Sequence, residues 1–140
     1  MQPVITIEQY AGKYINHPDW TLARENNARA LLVKVNKILL LASAWVELKP
    51  NPKTGSLISG DSNGGFRPLD CSTGAPQSNH KQGLGVDVFD PRNLLDIWCL
   101  MNVTKLENEG IWLEHPLKTD GWSHMQSVSP KSGNRFYLPG

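Results

Sequence analysis

The sequence predicts an α+β domain in which helices flank a small antiparallel sheet. The chain has 140 residues, a length that indicates one domain. Hydrophobic residues make up 39% of it and five tryptophans are present, enough to form a core. Helical and strand patterns lie in separate parts of the chain and the strands are short, which favours α+β. Residues 1–140 are therefore expected to form a single domain.

The longest helical pattern covers residues 21–43. Pro18 and Asp19 suit its entry, because a helix start tolerates a missing donor and favours a negative charge. Apolar residues recur at steps of three and four: Ala28, Leu31, Leu32, Val35, Ile38, Leu39 and Ala42. Residues 49–83, rich in Pro, Gly, Ser and Asn, predict a long ordered loop with one strand at Leu57–Ile58, and loops of this length are usually functional or mobile.

The second half of the chain begins with an expected strand at residues 85–89. Asp90 and Pro91 then favour a helix start, and the apolar stripe that follows predicts a helix ending at Gly110. Three more strands are expected, at residues 111–114, 121–127 and 135–138.

Charge and hydropathy exclude several partners. The net charge is +1 and no basic run reaches five residues, so we expect no nucleic-acid partner and no membrane partner. The longest apolar stretch, residues 38–46, is about half of what a bilayer span needs. The first residues lack the basic start of a secretory signal, and Cys71 and Cys99 are interpreted as free thiols of a cytosolic chain. We expect a monomer.

Two of the four histidines stand where metal chemistry is possible. Strand alternation gives Asp87 and His124 each one defined face, and His80 lies just before the first of the two strands. If those faces meet, two imidazoles and one carboxylate converge, a set that suits zinc and leaves a position for water. The spacing also occurs by chance. The alternative is that no metal site exists: His80 is then a loop residue, Asp87 a turn acceptor and His124 an ordinary strand histidine.

Three motifs in this order resemble a known family. The motifs are Gly65-Phe66-Arg67-Pro68, Ser78-x-His80-x-x-Gly83-x-Gly85-x-Asp87 and Trp122-x-His124-x-Gln126. They are similar to those of the zinc D-alanyl-D-alanine carboxypeptidases and the related phage L-alanyl-D-glutamate endolysin peptidases, which cut peptidoglycan stem peptides. The resemblance spans about half of the chain and implies a hedgehog/DD-peptidase-like fold.

The same resemblance implies residue roles. It makes His80, Asp87 and His124 the ligands of a zinc ion. Arg67 would contact the substrate or the developing oxyanion. The expected substrate groove comprises Arg67, Ser78, Trp122 and Gln126, and Ser78 and Gln126 could also orient the ligands through hydrogen bonds.

The general base is the weakest part of the match. Many members of the family carry Glu or Asp three residues before the last histidine, where this chain has Gly121. Asp120, in a flexible turn, and Glu114, at a strand end, are the two candidate catalytic carboxylates. We favour Glu114, because a base held on a strand is better fixed than one beside glycine.

The expected function is therefore a zinc metallopeptidase of phage or prophage endolysin type that hydrolyses stem peptides, as a DD-carboxypeptidase or an endopeptidase. Such a protein would be made in the bacterial cytoplasm without a signal peptide and act at the cell wall, after release by the phage or within a virion. A non-catalytic zinc-binding wall or virion module and a metal-free interaction domain are the alternatives. A hydrolase using Cys71 is disfavoured, since no strand-to-helix elbow surrounds it.

Overall fold

A computed structural model describes residues 4–139 as an α+β fold, which confirms the predicted fold class. The helices are α1 (Ile7–Ala11), α2 (Leu22–Ala42), α3 (Leu94–Met101) and α4 (Val103–Glu109). The strands are β1 (Gly85–Phe89), β2 (Trp112–Glu114), β3 (Trp122–Gln126) and β4 (Phe136–Tyr137). Short 3-10 helices cover Gly12–Tyr14, Asn79–Gln82 and Pro116–Lys118. Within residues 4–139, no helix has the length and apolarity needed to cross a membrane.

Helix α2 provides one side of the core. It begins at Leu22, within one residue of the predicted start, and Thr21 is its N-cap, with the hydroxyl accepting a hydrogen bond from the Arg24 amide at 3.3 Å. The apolar stripe predicted from the sequence is buried along its whole length: Ala28, Leu31, Leu32, Val35, Ile38, Leu39 and Ala42.

The four strands form one sheet in the order β1-β3-β2-β4. The β1–β3 and β2–β3 pairs are antiparallel as predicted, but β4 runs parallel to β2, so the sheet is mixed. Strand β3 is central, with β1 paired to one of its edges and β2 to the other, so β4 cannot pair with β3. A chain that turns back after β3 then reaches the free edge of β2 in the same direction as β2. The prediction of a purely antiparallel sheet is wrong for this reason.

The loop of residues 49–83 contains no regular strand in the structure. The predicted strand at Leu57–Ile58 is reduced to an isolated bridge between Ile58 and Val88, because the chain turns away at Gly60, whose φ is +73°. The segment still runs beside β1. The Asp87 amide donates to the Gly64 carbonyl at 2.7 Å, and the Asp87 carbonyl accepts from the Ser59 amide at 3.0 Å.

The helix predicted from Asp90 to Gly110 is two helices. The first, α3, begins at Leu94 and not directly after Asp90, which lies outside the helix and accepts from the Leu95 and Asp96 amides at 3.0 and 2.9 Å. Asn102 interrupts the run: its side chain donates to the Trp98 carbonyl at 2.8 Å, which is the local competition that favours a break. The second helix ends at Gly110, with φ +68°, as predicted.

The core lies on one face of the sheet and leaves the other face to polar residues. Val86 and Val88 of β1 and Met125 of β3 are 0% exposed and belong to the same cluster as the α2 stripe. Strand alternation then turns Asp87 and His124 to the opposite face. The two cysteines are free thiols, as predicted, with Cys99 buried and Cys71 half-buried.

Candidate metal centre

The polar face of the sheet places Asp87 and His124 next to each other. In the antiparallel β1–β3 ladder these two residues are direct partners, so their side chains rise from the same face. A cleft of about 790 Å³ lies over this face.

His80 reaches the pair from the short helix Asn79–Gln82. Ser78 caps this helix, its hydroxyl accepting from the His80 amide at 3.2 Å. Gly83 ends it with φ +75°, and a Cβ there would lie 2.5 Å from the Arg24 carbonyl oxygen, so glycine is required. The His80 ring donates from Nδ1 to the Gly65 carbonyl at 2.8 Å, so Nε2 is the nitrogen directed at Asp87 and available to a cation.

The three side chains converge on one point. His80 Nε2 lies 3.2 Å from Asp87 Oδ1, and His124 Nδ1 lies 2.8 Å from the same oxygen. All three candidate ligand atoms lie within 4.8 Å of one another. Ligand atoms around a tetrahedral zinc ion are about 3.4 Å apart, given bond lengths near 2.0–2.2 Å. Two imidazoles and one carboxylate with this spacing fit zinc after a small widening.

Asp87 is held from its other side by Arg67. The guanidinium donates from Nη2 to Asp87 Oδ2 at 3.2 Å, from Nε to the Asn63 carbonyl at 2.7 Å and from Nη1 to the Thr73 carbonyl at 3.3 Å. Arg67 is buried yet lines the cleft. A guanidinium has five N–H groups and these bonds use three, so two remain for a substrate. Its contact with substrate stays a prediction.

The second nitrogen of His124 faces Gln126. Nε2 lies 2.9 Å from Gln126 Oε1, which also accepts from Asn79 Nδ2 at 3.0 Å and from the Tyr137 hydroxyl. Sequence reasoning named Gln126 but missed Asn79 and Tyr137. Asn79 is the variable residue between Ser78 and His80 of the second motif. Tyr137 lies on β4, and no sequence signal indicated that β4 pairs with β2.

Burial and charge set the protonation states of the ligands. Burial by itself raises the pKa of Asp87. The charges of His80 and His124 and the hydrogen bonds with both rings have the larger effect and bring that pKa well below its usual range. Burial dominates at His80 and lowers its pKa. His124 is also disfavoured as a cation by burial, yet its hydrogen bond and ion pair with Asp87 raise its pKa overall. An ionised carboxylate and a neutral His80 are the forms that bind a cation, and His124 would release a proton.

The two candidate bases lie in different places. Glu114, at the end of β2, lines the cleft and is half-buried. Burial raises its pKa, with the His124 charge opposing and the Asp87 charge adding to the shift. Asp120 is exposed in the turn before Gly121 and is not part of the cleft lining. The structure therefore brings Glu114, and not Asp120, to the histidines and Asp87.

Every other site residue expected from the sequence borders the same cleft. These residues are Arg67, Ser78, His80, Asp87, Trp122, His124 and Gln126. The rest of the lining is largely uncharged and includes Gly74, Ala75, Gln77 and Asn79 together with residues 128–132 and 137–139. Lys131 supplies a positive charge there.

Comparisons of the chain with protein-family models, with curated proteins and with solved structures find no match.

Proposed function

We propose that this protein is a zinc-dependent peptidase that hydrolyses peptide bonds in peptidoglycan stem peptides. The observation that carries the proposal is the convergence of His80, Asp87 and His124 on the floor of an open cleft. Three protein ligands with a coordination position left for water are typical of catalytic zinc sites rather than structural ones.

Each cleft residue has a chemical role in this proposal. A zinc ion held by His80, Asp87 and His124 would supply an activated water at neutral pH and polarise the scissile carbonyl. Glu114 takes the proton of that water and passes it to the leaving amine. A carboxyl group with a raised pKa suits this double task. Arg67 holds Asp87 and offers its two remaining N–H groups to the oxyanion or to a substrate carboxylate.

The substrate class rests on the resemblance of the three motifs. The cleft is open and bordered by polar loops, which suits an extended peptide with few apolar side chains. A protein that cuts stem peptides acts at the cell wall, either released by a phage or carried in a virion. The resemblance covers both DD-carboxypeptidase and endopeptidase specificity.

Zinc content and cleavage products test the proposal together. Purified protein is expected to contain about one zinc ion per chain and to shorten defined stem peptides, as read by mass spectrometry. His80→Ala should lose both zinc and activity. His115→Ala is the matched control for zinc content, because the His115 ring accepts from the Leu117 amide at 3.1 Å and belongs to no cation-ligand cluster in residues 4–139. Equal zinc content in the parent and in His80→Ala would reject the metal site.

A non-catalytic zinc module is the second candidate, favoured by Gly121 at the position where the family usually has its acid. Such a protein would hold zinc, melt at a lower temperature with a chelator and leave every stem peptide intact. A metal-free interaction domain would show no effect of the chelator on melting.

A further inference from the structure

The side-chain amide of Gln126 is fixed in one orientation. Its Nε2 donates to the Val128 carbonyl at 2.7 Å, so Oε1 is the atom that faces His124. Asn79 Nδ2 and the Tyr137 hydroxyl both donate to that same oxygen. Reversing the amide would place an NH₂ group against two donors in a site where Gln126 is 4% exposed.

This orientation determines which nitrogen of His124 faces Gln126. An amide oxygen only accepts, so the nitrogen opposite it, Nε2, must carry a proton. The Asp87 carboxylate opposite Nδ1 also only accepts, so in the metal-free protein two acceptors hold the ring, one at each nitrogen. Nδ1 is the atom 2.8 Å from Asp87 Oδ1, on the side of the candidate cation position.

We propose that Asn79, Gln126 and Tyr137 are positioning residues that hold the ring of His124 by its Nε2–H group, so that Nδ1 is the nitrogen presented to the metal. This inference rests on the proposed zinc site. Asn79 adjoins His80 on its short helix, and Tyr137 pairs with Glu114 in the β2–β4 ladder. Through these contacts, the short helix that carries His80 and the strand beside Glu114 are both hydrogen-bonded to the residue that faces His124.

Zinc affinity measures the contribution of these contacts. Competition with a chromophoric chelator should show zinc binding weakened about 10–100-fold by Gln126→Leu, the range typical of lost partners of metal-ligating histidines. Tyr137→Phe removes one hydroxyl and should weaken binding by a smaller factor. Gln77→Leu is the matched control, because Gln77 lines the same cleft but is exposed. Folded Gln126→Leu and Tyr137→Phe proteins that both bind zinc within twofold of the parent would overturn the proposal.

The tautomer is read directly in the unaltered protein. In zinc-loaded protein with ¹⁵N-labelled histidine, long-range ¹H–¹⁵N spectra should show the proton of His124 on Nε2. A proton on Nδ1 would overturn the proposal even if the variants fail to fold. If the parent binds no zinc, the proposed function fails; if the parent binds zinc with the His124 proton on Nδ1, this inference alone fails.

Discussion

Arg67 donates from Nη2 to the Oδ2 oxygen of Asp87 across 3.2 Å and leaves the other carboxylate oxygen to the two histidines. The side chains of the pair are 9% and 14% exposed. Asp87 is thereby disposed to bind a cation through one oxygen. That geometry suits a small tetrahedral ion better than calcium, which takes six to eight oxygen ligands.

Removing the arginine should destabilise the fold. Arg67→Met leaves a buried carboxylate without its partner, and breaking such a pair typically costs about 3–5 kcal/mol. Arg29→Met is the control, since Arg29 and Glu25 form an exposed pair on α2 worth about 0.3–0.5 kcal/mol. Urea unfolding of metal-free protein measures both. Equal losses for the two variants would show that the Arg67 pair contributes no more than a surface contact.

Kinetics separate the two substrate roles open to Arg67. If its free N–H groups stabilise the oxyanion, Arg67→Lys should lower kcat, since one lost donor is worth about 2.7–4 kcal/mol. If they hold a substrate carboxylate, the same variant should mainly raise KM. Both parameters are measured on a defined stem peptide with zinc-loaded protein. Unchanged kcat and KM would exclude both roles.

Glu114 is expected to be the general base. Glu114→Gln should lower kcat about 10²–10⁴-fold while zinc content stays at the parent level, because the carboxylate moves a proton and is not one of the three ligands. Asp120→Asn, altering the exposed carboxylate outside the cleft, should leave kcat unchanged. The reverse pattern would assign the base to Asp120.

The buried carboxyl group of Asp96 on α3 should make the free energy of unfolding depend on pH. Burial raises the pKa of Asp96 to about 6, although the Ser123 and Thr119 hydroxyls donate to it. The native state therefore holds this proton more tightly than the unfolded chain. The stability that this group contributes is full below about pH 4 and is lost as the pH rises through 6.

Replacing Asp96 tests that sign. The free energy of unfolding of Asp96→Asn relative to the parent should rise by more than about 1.4 kcal/mol between pH 4 and pH 7, the equivalent of one pKa unit. Urea titrations with a chelator present measure it. Asp61→Asn, at an exposed carboxylate, is the control and should show no such rise. A difference that falls with pH would contradict the assignment.

The sequence predicts the part of the site that depends on strand geometry. Because side chains alternate along a strand, Asp87 and His124 could be given a face each before any pairing was known. The α2 stripe was predictable for the same reason, since a helical period is local. His80 came from motif spacing, and the structure brings it to the other two residues.

The remaining features depend on contacts between distant parts of the chain. Tyr137 reaches Gln126 only because β4 adds to the free edge of β2, and no local pattern indicates which edge is free. The break at Asn102 depends on one side-chain hydrogen bond within an otherwise helical pattern. The hedgehog/DD-peptidase-like arrangement remains a prediction.

The loop segment beside β1 has a consequence for solubility. An unpaired edge strand is a template on which other chains can add, and β1 is an outermost strand of the sheet. That edge is covered by three backbone hydrogen bonds: the Phe89 amide donates to Leu57, the Asp87 amide donates to Gly64, and the Asp87 carbonyl accepts from Ser59. A strand of a second molecule could pair with β1 only after residues 57–64 have dissociated from that edge. The backbone hydrogen bonds that position Asp87 therefore also oppose aggregation through pairing of β1 with a strand of another molecule.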